Sequence, residues 1–215
     1  MLFKLEKLIK KKKLFSNEKY IVIEKDFFHD QDITESNYLE RGILNLAEAK
    51  YWREEGCGAA CLEMVIHAIE EKHIKFGDII RLGQQINAYD KERGWIHDSM
   101  VRILKSYNIK SFRKKMKSLE SLARLIKDGY ILILSVTTGL GGGNFDENGK
   151  VKKKGGHLVV CFGYKTDNNC EVSGLLINDP DYWPGYKKNK VWVGKKLINN
   201  SWNGNLIFTK IHEEK

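Results

Sequence analysis

Long apolar runs are missing from this 215-residue chain: the longest, Tyr130–Val136, is far too short to span a bilayer. The basic opening segment Met1–Phe15 is followed by no apolar core, which excludes a secretory signal. Cysteine is scarce: Cys57, Cys61, Cys161 and Cys170 are too few, in too long a chain, for a small disulfide scaffold, so a reducing cytoplasm is the expected compartment. Only two prolines occur, and low-complexity sequence is confined to the basic N-terminus. A compact chain is expected, organised as one domain with an N-terminal extension.

Acidic residues are also in the minority. Lys and Arg number 37 against 28 Asp and Glu, a net charge of +9. Such a balance suits an acidic partner. The lysines are scattered, however, and neither an RNP-like run nor a finger spacing accompanies them, so no specific nucleic-acid partner is expected. In the opening segment Leu2, Leu5, Leu8 and Ile9 fall among lysines at roughly helical spacing. As a basic amphipathic helix it would make a weak contact with an anionic membrane surface. A frayed terminal helix is the blander expectation and outweighs it. Nothing in the sequence indicates an oligomeric state.

The apolar pattern divides the chain. Tyr20–Glu24 reads as a short strand and Asp30–Asn37 as a loop. A central helix begins near Gly58, with Ala59, Leu62, Val65, Ile66 and Ile69 on one stripe and Glu63, Glu70 and Glu71 on a polar face. Helical patterns follow over Phe76–Asn87, after the cap candidate Asp98, and over Ser118–Asp128 up to Gly129. Strand patterns then take over at Tyr130–Val136, His157–Tyr164, Gly174–Asp179 and Asn205–Lys210. Between the first two lies Gly139–Lys154, a glycine-rich segment expected to form a mobile loop rimming a cleft. A helical first half and a strand-rich second half indicate an α+β domain, with the cleft where the halves meet. The expected division is an extension with a short strand over 1–40 and a main domain over 41–215.

Cys57, in Glu-Glu-Gly-Cys-Gly-Ala-Ala-Cys, precedes the central helix. A thiolate there is stabilised by unpaired N–H groups and the helix dipole. Flanking Gly56 and Gly58 would admit a substrate backbone. Cys61, one turn on, reads as a buried hydrophobe. A thiol nucleophile needs a base, and His157 is the best candidate, opening a strand after Gly155 and Gly156. His67, His73 and His97 lie on or near helices, and His29 and His212 read as surface residues. A polar pair, Asn178 and Asp179, ends the neighbouring strand. Successive strand residues face opposite sides, so one of the two can orient the imidazole. Zinc is a poor competitor. Cys57 and Cys61 could chelate on a helix, but His157 and Cys161 lie about 13 Å apart along a strand and cannot share an ion. Gly139–Gly143 lacks a following Gly-Lys-Ser/Thr, so it is no phosphate-binding loop. No metal and no cofactor are expected.

Gly-Cys-Gly-Ala-Ala-Cys-Leu-Glu-Met-Val, Gly-Gly-His-Leu-Val-Val-Cys-Phe-Gly-Tyr and Ile-Asn-Asp-Pro, in that order, resemble cysteine peptidase family thirty-nine. That family contains bacteriocin-processing double-glycine peptidases and standalone relatives with a papain-like fold. Lys127-Asp-Gly-Tyr-Ile-Leu-Ile and Ser201-Trp-Asn-Gly-Asn-Leu-Ile also match its pattern, so the likeness runs over roughly Tyr51–Lys210. The resemblance implies a papain-like fold, with the helical first half packed on an antiparallel sheet. It implies Cys57 as nucleophile, His157 as general base and acid, and Asp179 as orienting residue, with Asn178 as the alternative. The implied reaction cleaves a peptide or isopeptide bond through a thioester, with a peptide or protein as substrate. Acyl or peptidyl transfer through the same thioester, and a catalytically silent peptide-binding module, are the competing functions. One departure stands out. The family commonly carries an oxyanion-donating glutamine several residues before the cysteine. Tyr51 stands there instead, and no glutamine lies between Ile33 and Cys57. The backbone N–H of Cys57 and a donor from Tyr51, Trp52 or Arg53 are the expected substitutes.

Overall fold

A computed structural model of the chain describes residues 9–14, 18–137, 140, 156–181 and 188–211. The main sheet is antiparallel throughout. Its path runs β1 (Ile9–Leu14), β2 (Glu18–Ile23), β7 (Gly156–Thr166), β6 (Tyr130–Thr137), β10 (Asn205–Lys210), β5 (Ser111–Lys115). β8 (Val172–Asn178) pairs with the other edge of β7 and carries β9 (Val191–Gly194). The eleven-residue β7 is the hub of the sheet. Its first half pairs with β6, its second half with β2, and β8 runs along its opposite edge.

Among the described residues, six helices accompany the sheet: α1 (Leu46–Glu55), α2 (Cys57–Glu70), α3 (Phe76–Gln85), α4 (His97–Ser106), α5 (Leu119–Lys127) and α6 (Lys195–Ser201). A two-stranded ribbon, β3 (Tyr89–Asp90) with β4 (Gly94–Trp95), links α3 to α4. Alternate residues of the central strands serve two cores. Ile131, Ile133, Leu158, Val160 and Phe162 join α2, α3 and α4 in one core. Leu132, Leu134, Val136, Val159 and Cys161 join α5 and α6 in the other. Both faces are buried, so β6 and β7 read as continuous apolar runs instead of alternating ones. The result is an α+β fold in which helices pack on an antiparallel sheet.

Several local expectations need correction. Ile9, placed by spacing on a terminal helix, opens strand β1, and the rest of that helix lies outside the described residues. So do Gly139 and 141–154, leaving only Leu140 of the expected rim loop described. The short strand expected near Tyr20 is β2, which pairs with β7, and Phe27 and Ile33 after it are core residues. Asp98 does not cap its helix. It lies in the first turn of α4 and pairs with Arg113, while Ile96 holds the cap position. Glu63 does not face solvent. α2 is apolar nearly all round and buried, and Glu63 is only 2% exposed, ion-paired to Arg41 at 2.9 Å. Burial raises the Glu63 carboxyl to about 7, against the opposing pull of Arg41.

Helix α1 has no counterpart in the apolar pattern. Its start is nevertheless written in the sequence. The Asn45 side chain accepts from the Glu48 amide at 2.9 Å, and the Glu48 carboxylate accepts from the Leu44 amide at 3.1 Å. Only Ala49 and Trp52 of this helix are buried, too few for a periodic stripe.

Candidate active site

α2 packs across β7 and starts at Cys57, so the thiol sits at the helix N-terminus against the start of that strand. The backbone turns sharply at Gly56 between α1 and α2. A Cβ there would fall 2.3 Å from the Trp52 carbonyl oxygen and 2.5 Å from Phe76. A Cβ on Gly58 would fall 2.2 Å from the Trp95 ring. Both glycines are therefore required by close packing behind the thiol, which differs from the expected role of admitting substrate backbone. Trp95 is itself fixed by an indole N–H bond to the Glu55 carbonyl at 2.8 Å.

His157 lies on β7 opposite Val136 of β6 and is 4% exposed. Its Nε2 bonds Asp179 Oδ1 at 2.7 Å, which leaves Nδ1 as the ring nitrogen available to the Cys57 thiol on the same cleft. Burial alone would depress the imidazole. The charge and hydrogen bond of Asp179, joined by Cys57, outweigh it and hold His157 well above the usual histidine range. Asp179 is held in turn: Oδ1 also accepts from the Asp181 amide at 3.1 Å, and the Asp179 amide donates to the Lys188 carbonyl at 2.8 Å. The neighbouring Asn178 points elsewhere, its Oδ1 accepting from the Lys190 amide at 2.9 Å.

These side chains border a cleft of about 310 Å3, lined also by Gln31, Glu54, Glu55, Trp95, Ser135 and Asp181. Tyr51, Trp52 and Arg53 do not line it. The Tyr51 hydroxyl donates to Tyr89 at 3.0 Å, and Trp52 is packed among Tyr51, Tyr89 and Trp95. The Arg53 guanidinium is paired to Asp32 at 2.8 Å. All three are engaged by partners outside the cleft lining.

Gln31 occupies the cleft in their place. It is 3% exposed, and its amide hydrogens point at the carbonyls of Arg53, at 2.8 Å, and Glu54, at 3.4 Å. The opposite amide orientation would set an oxygen against two oxygens, so Nε2 is the atom facing them. The Gln31 backbone is fixed as well, its N–H donating to the Pro180 carbonyl at 2.8 Å, beside Asp179. In the sequence Gln31 is the first glutamine upstream of Cys57, separated from it by α1.

Cys61 and Cys161 stay out of the cleft. Both are fully buried, and burial pushes the Cys161 thiol up to about 12 and raises that of Cys61 as well. No two of the four cysteines are bridged.

Residues 43–205 match the Peptidase_C39 like family, and the chain belongs to that family. Among solved structures, a C39-like peptidase from Bacillus anthracis superposes with a TM-score of 0.50 at 17% identity, covering 75% of this chain and 91% of that one. The peptidase domain of Streptococcus ComA, a bi-functional ABC transporter, gives 0.48 at 18% identity, over 73% and 91% of the two chains. A double glycine motif protease from an AMS/PCAT transporter, in complex with its leader peptide, gives 0.46 at 20%, over 72% and 84%. No curated protein sequence matches the chain. Among the described residues, no helix is long and apolar enough to cross a membrane.

Proposed function

We propose that the chain is a cysteine peptidase that hydrolyses a peptide or isopeptide bond through a thioester on Cys57. The observation that carries this reading is the 2.7 Å bond from His157 Nε2 to Asp179 Oδ1, with His157 and Cys57 lining one cleft and the sulfur at a helix N-terminus. Helix N–H groups favour the negative sulfur, and Asp179 favours the imidazolium that receives its proton.

In the proposed cycle the Cys57 sulfur attacks the scissile carbonyl carbon while its proton passes to His157 Nδ1. The carbonyl oxygen becomes an oxyanion. Its donors are the Cys57 backbone N–H and the second N–H of Gln31, the one held only loosely by the Glu54 carbonyl at 3.4 Å. Collapse of the tetrahedral centre breaks the C–N bond, and His157 returns the proton to the departing amine. Water then attacks the thioester, losing a proton to His157. The acid leaves and the thiol is restored. Asp179 keeps the imidazole in one orientation throughout. Four unbridged cysteines suit a reducing, cytoplasmic compartment.

A peptide-aldehyde or epoxide probe tests the reading. The wild type labels on Cys57 and turns over members of a peptide library. Cys57→Ala does neither, and Cys61→Ala keeps most of both. Equal losses in the two folded variants would reverse the assignment of the nucleophile or point to a metal, and a wild type that labels no faster than an ordinary thiol would favour a silent peptide-binding module.

A further inference from the structure

Away from the cleft, three histidines from separate parts of the chain converge. His29 follows β2, His67 lies in the last turn of α2, and His73 lies in the link to α3. One ring nitrogen of each lies within 4.8 Å of the others, and His29 Nε2 is 2.9 Å from His67 Nδ1. The ring centroids are 4.5 to 5.1 Å apart. None of the three lines the cleft. His67 is ten residues along α2 from Cys57, about 15 Å at the helical rise.

We propose that His29, His67 and His73 form a binding site for one zinc ion, coordinated through His29 Nε2, His67 Nδ1 and a ring nitrogen of His73. Tetrahedral zinc with nitrogen bonds of about 2.0–2.1 Å holds its ligand nitrogens roughly 3.3 Å apart. The His29 and His67 nitrogens need to separate by only a few tenths of an ångström to accept the ion in place of their shared proton. The 2.9 Å approach of the His29 and His67 nitrogens already requires one of them to present a lone pair.

A second feature is independent of the cluster itself. The other nitrogen of His29, Nδ1, faces Glu63 Oε1 at 3.6 Å, and the second oxygen of Glu63 is held by Arg41 at 2.9 Å. A buried carboxylate behind the distal nitrogen of a histidine is the arrangement that fixes metal-binding imidazoles in one tautomer. Lys25, the nearest cation on the same segment, is engaged by the Ala68 carbonyl and by Glu71. An ion here ties the chain after β2 to the end of α2. His29 stands two residues before Gln31, so the same ion anchors the segment that delivers Gln31 to the cleft.

The test uses the full chain carrying Cys57→Ala, which removes the cleft thiol as a rival ligand, after chelator treatment. Calorimetric titration with zinc should give one ion per chain, and cobalt should give the visible absorption of a tetrahedral site. His73→Ala alters an exposed residue and should leave folding intact while weakening zinc binding by about 100-fold or more. Glu63→Gln should weaken it about tenfold through the distal nitrogen. Absence of zinc binding by the Cys57→Ala chain, or unchanged affinity in His73→Ala, overturns the proposal. Either result leaves the cleft chemistry untouched.

Discussion

Gln31→Ala separates catalysis from architecture. The proposed role of Gln31 requires one amide N–H to pass from the Glu54 carbonyl, 3.4 Å away, to the oxyanion, and losing one such donor costs about 10²- to 10³-fold in kcat. The substitution also strips the Arg53 carbonyl of its 2.8 Å donor. Leaving a buried backbone acceptor unpaired costs about 1–3 kcal/mol. For a chain of this size each kcal/mol lowers Tm by about 2–4 °C, so the variant should still be folded at 25 °C. Turnover of a cleaved peptide should therefore fall by two to three orders of magnitude, with KM nearly constant. Alkylation of Cys57 by iodoacetamide forms no oxyanion and should proceed at the wild-type rate. Tyr51→Phe is the matched control: its hydroxyl is spent on Tyr89, outside the cleft, and turnover should not change. Full turnover in folded Gln31→Ala would refute the assignment. Parallel loss of turnover and alkylation would refute it too, because the residue would then be holding the thiol in position.

The orienting carboxylate gives a pH-dependent expectation. Asp179→Asn removes the charge that holds His157 up and leaves burial to depress it, so turnover should drop steeply while Asn178→Ala matters less. A raised histidine stabilises the fold fully below its unfolded value of about 6.5, and that stabilisation is lost as pH rises through the folded value. The stability gap between wild type and Asp179→Asn in urea titrations should accordingly be largest near pH 6 and narrow at alkaline pH; a gap that widens with pH would contradict the pairing.

Much of the framework was legible because its signals are local. Ser118 accepts from the Ser121 amide at the start of α5, and Gly129, at φ 86°, ends the turn after it, so both ends of that helix are marked in the sequence. The apolar runs at β6, β7 and β8 stand out for the opposite reason: burial on both faces removes polar interruptions. β5 and β9 escaped notice because they are short and carry little buried side chain. In β5 the run Ser-Phe-Arg-Lys-Lys is almost wholly exposed, and only its pairing with β10 makes it a strand. Glu63 misled because helical periodicity cannot distinguish a solvent face from a buried one occupied by an ion pair.

The proposed oxyanion donor is of a kind that spacing along the sequence does not mark. Cys57 must precede a helix, because the helix terminus is what stabilises its thiolate, so its sequence context is fixed by chemistry. A donor to the oxyanion has no such constraint. It needs only an N–H at the right point in space, and any element that reaches the cleft can provide one. Here α1 occupies the chain between Gln31 and Cys57, and Tyr51, Trp52 and Arg53 on it lie outside the cleft lining. Two backbone carbonyls at the end of that helix then become the acceptors that fix the glutamine amide. The helix that lengthens the separation along the chain is thus also what supplies the anchor at its end. The three histidines follow the same logic, since 38 residues separate His29 from His67 and no spacing motif could mark them. Only the packing of the chain after β2 against α2 brings them, and Gln31 beside them, to their positions.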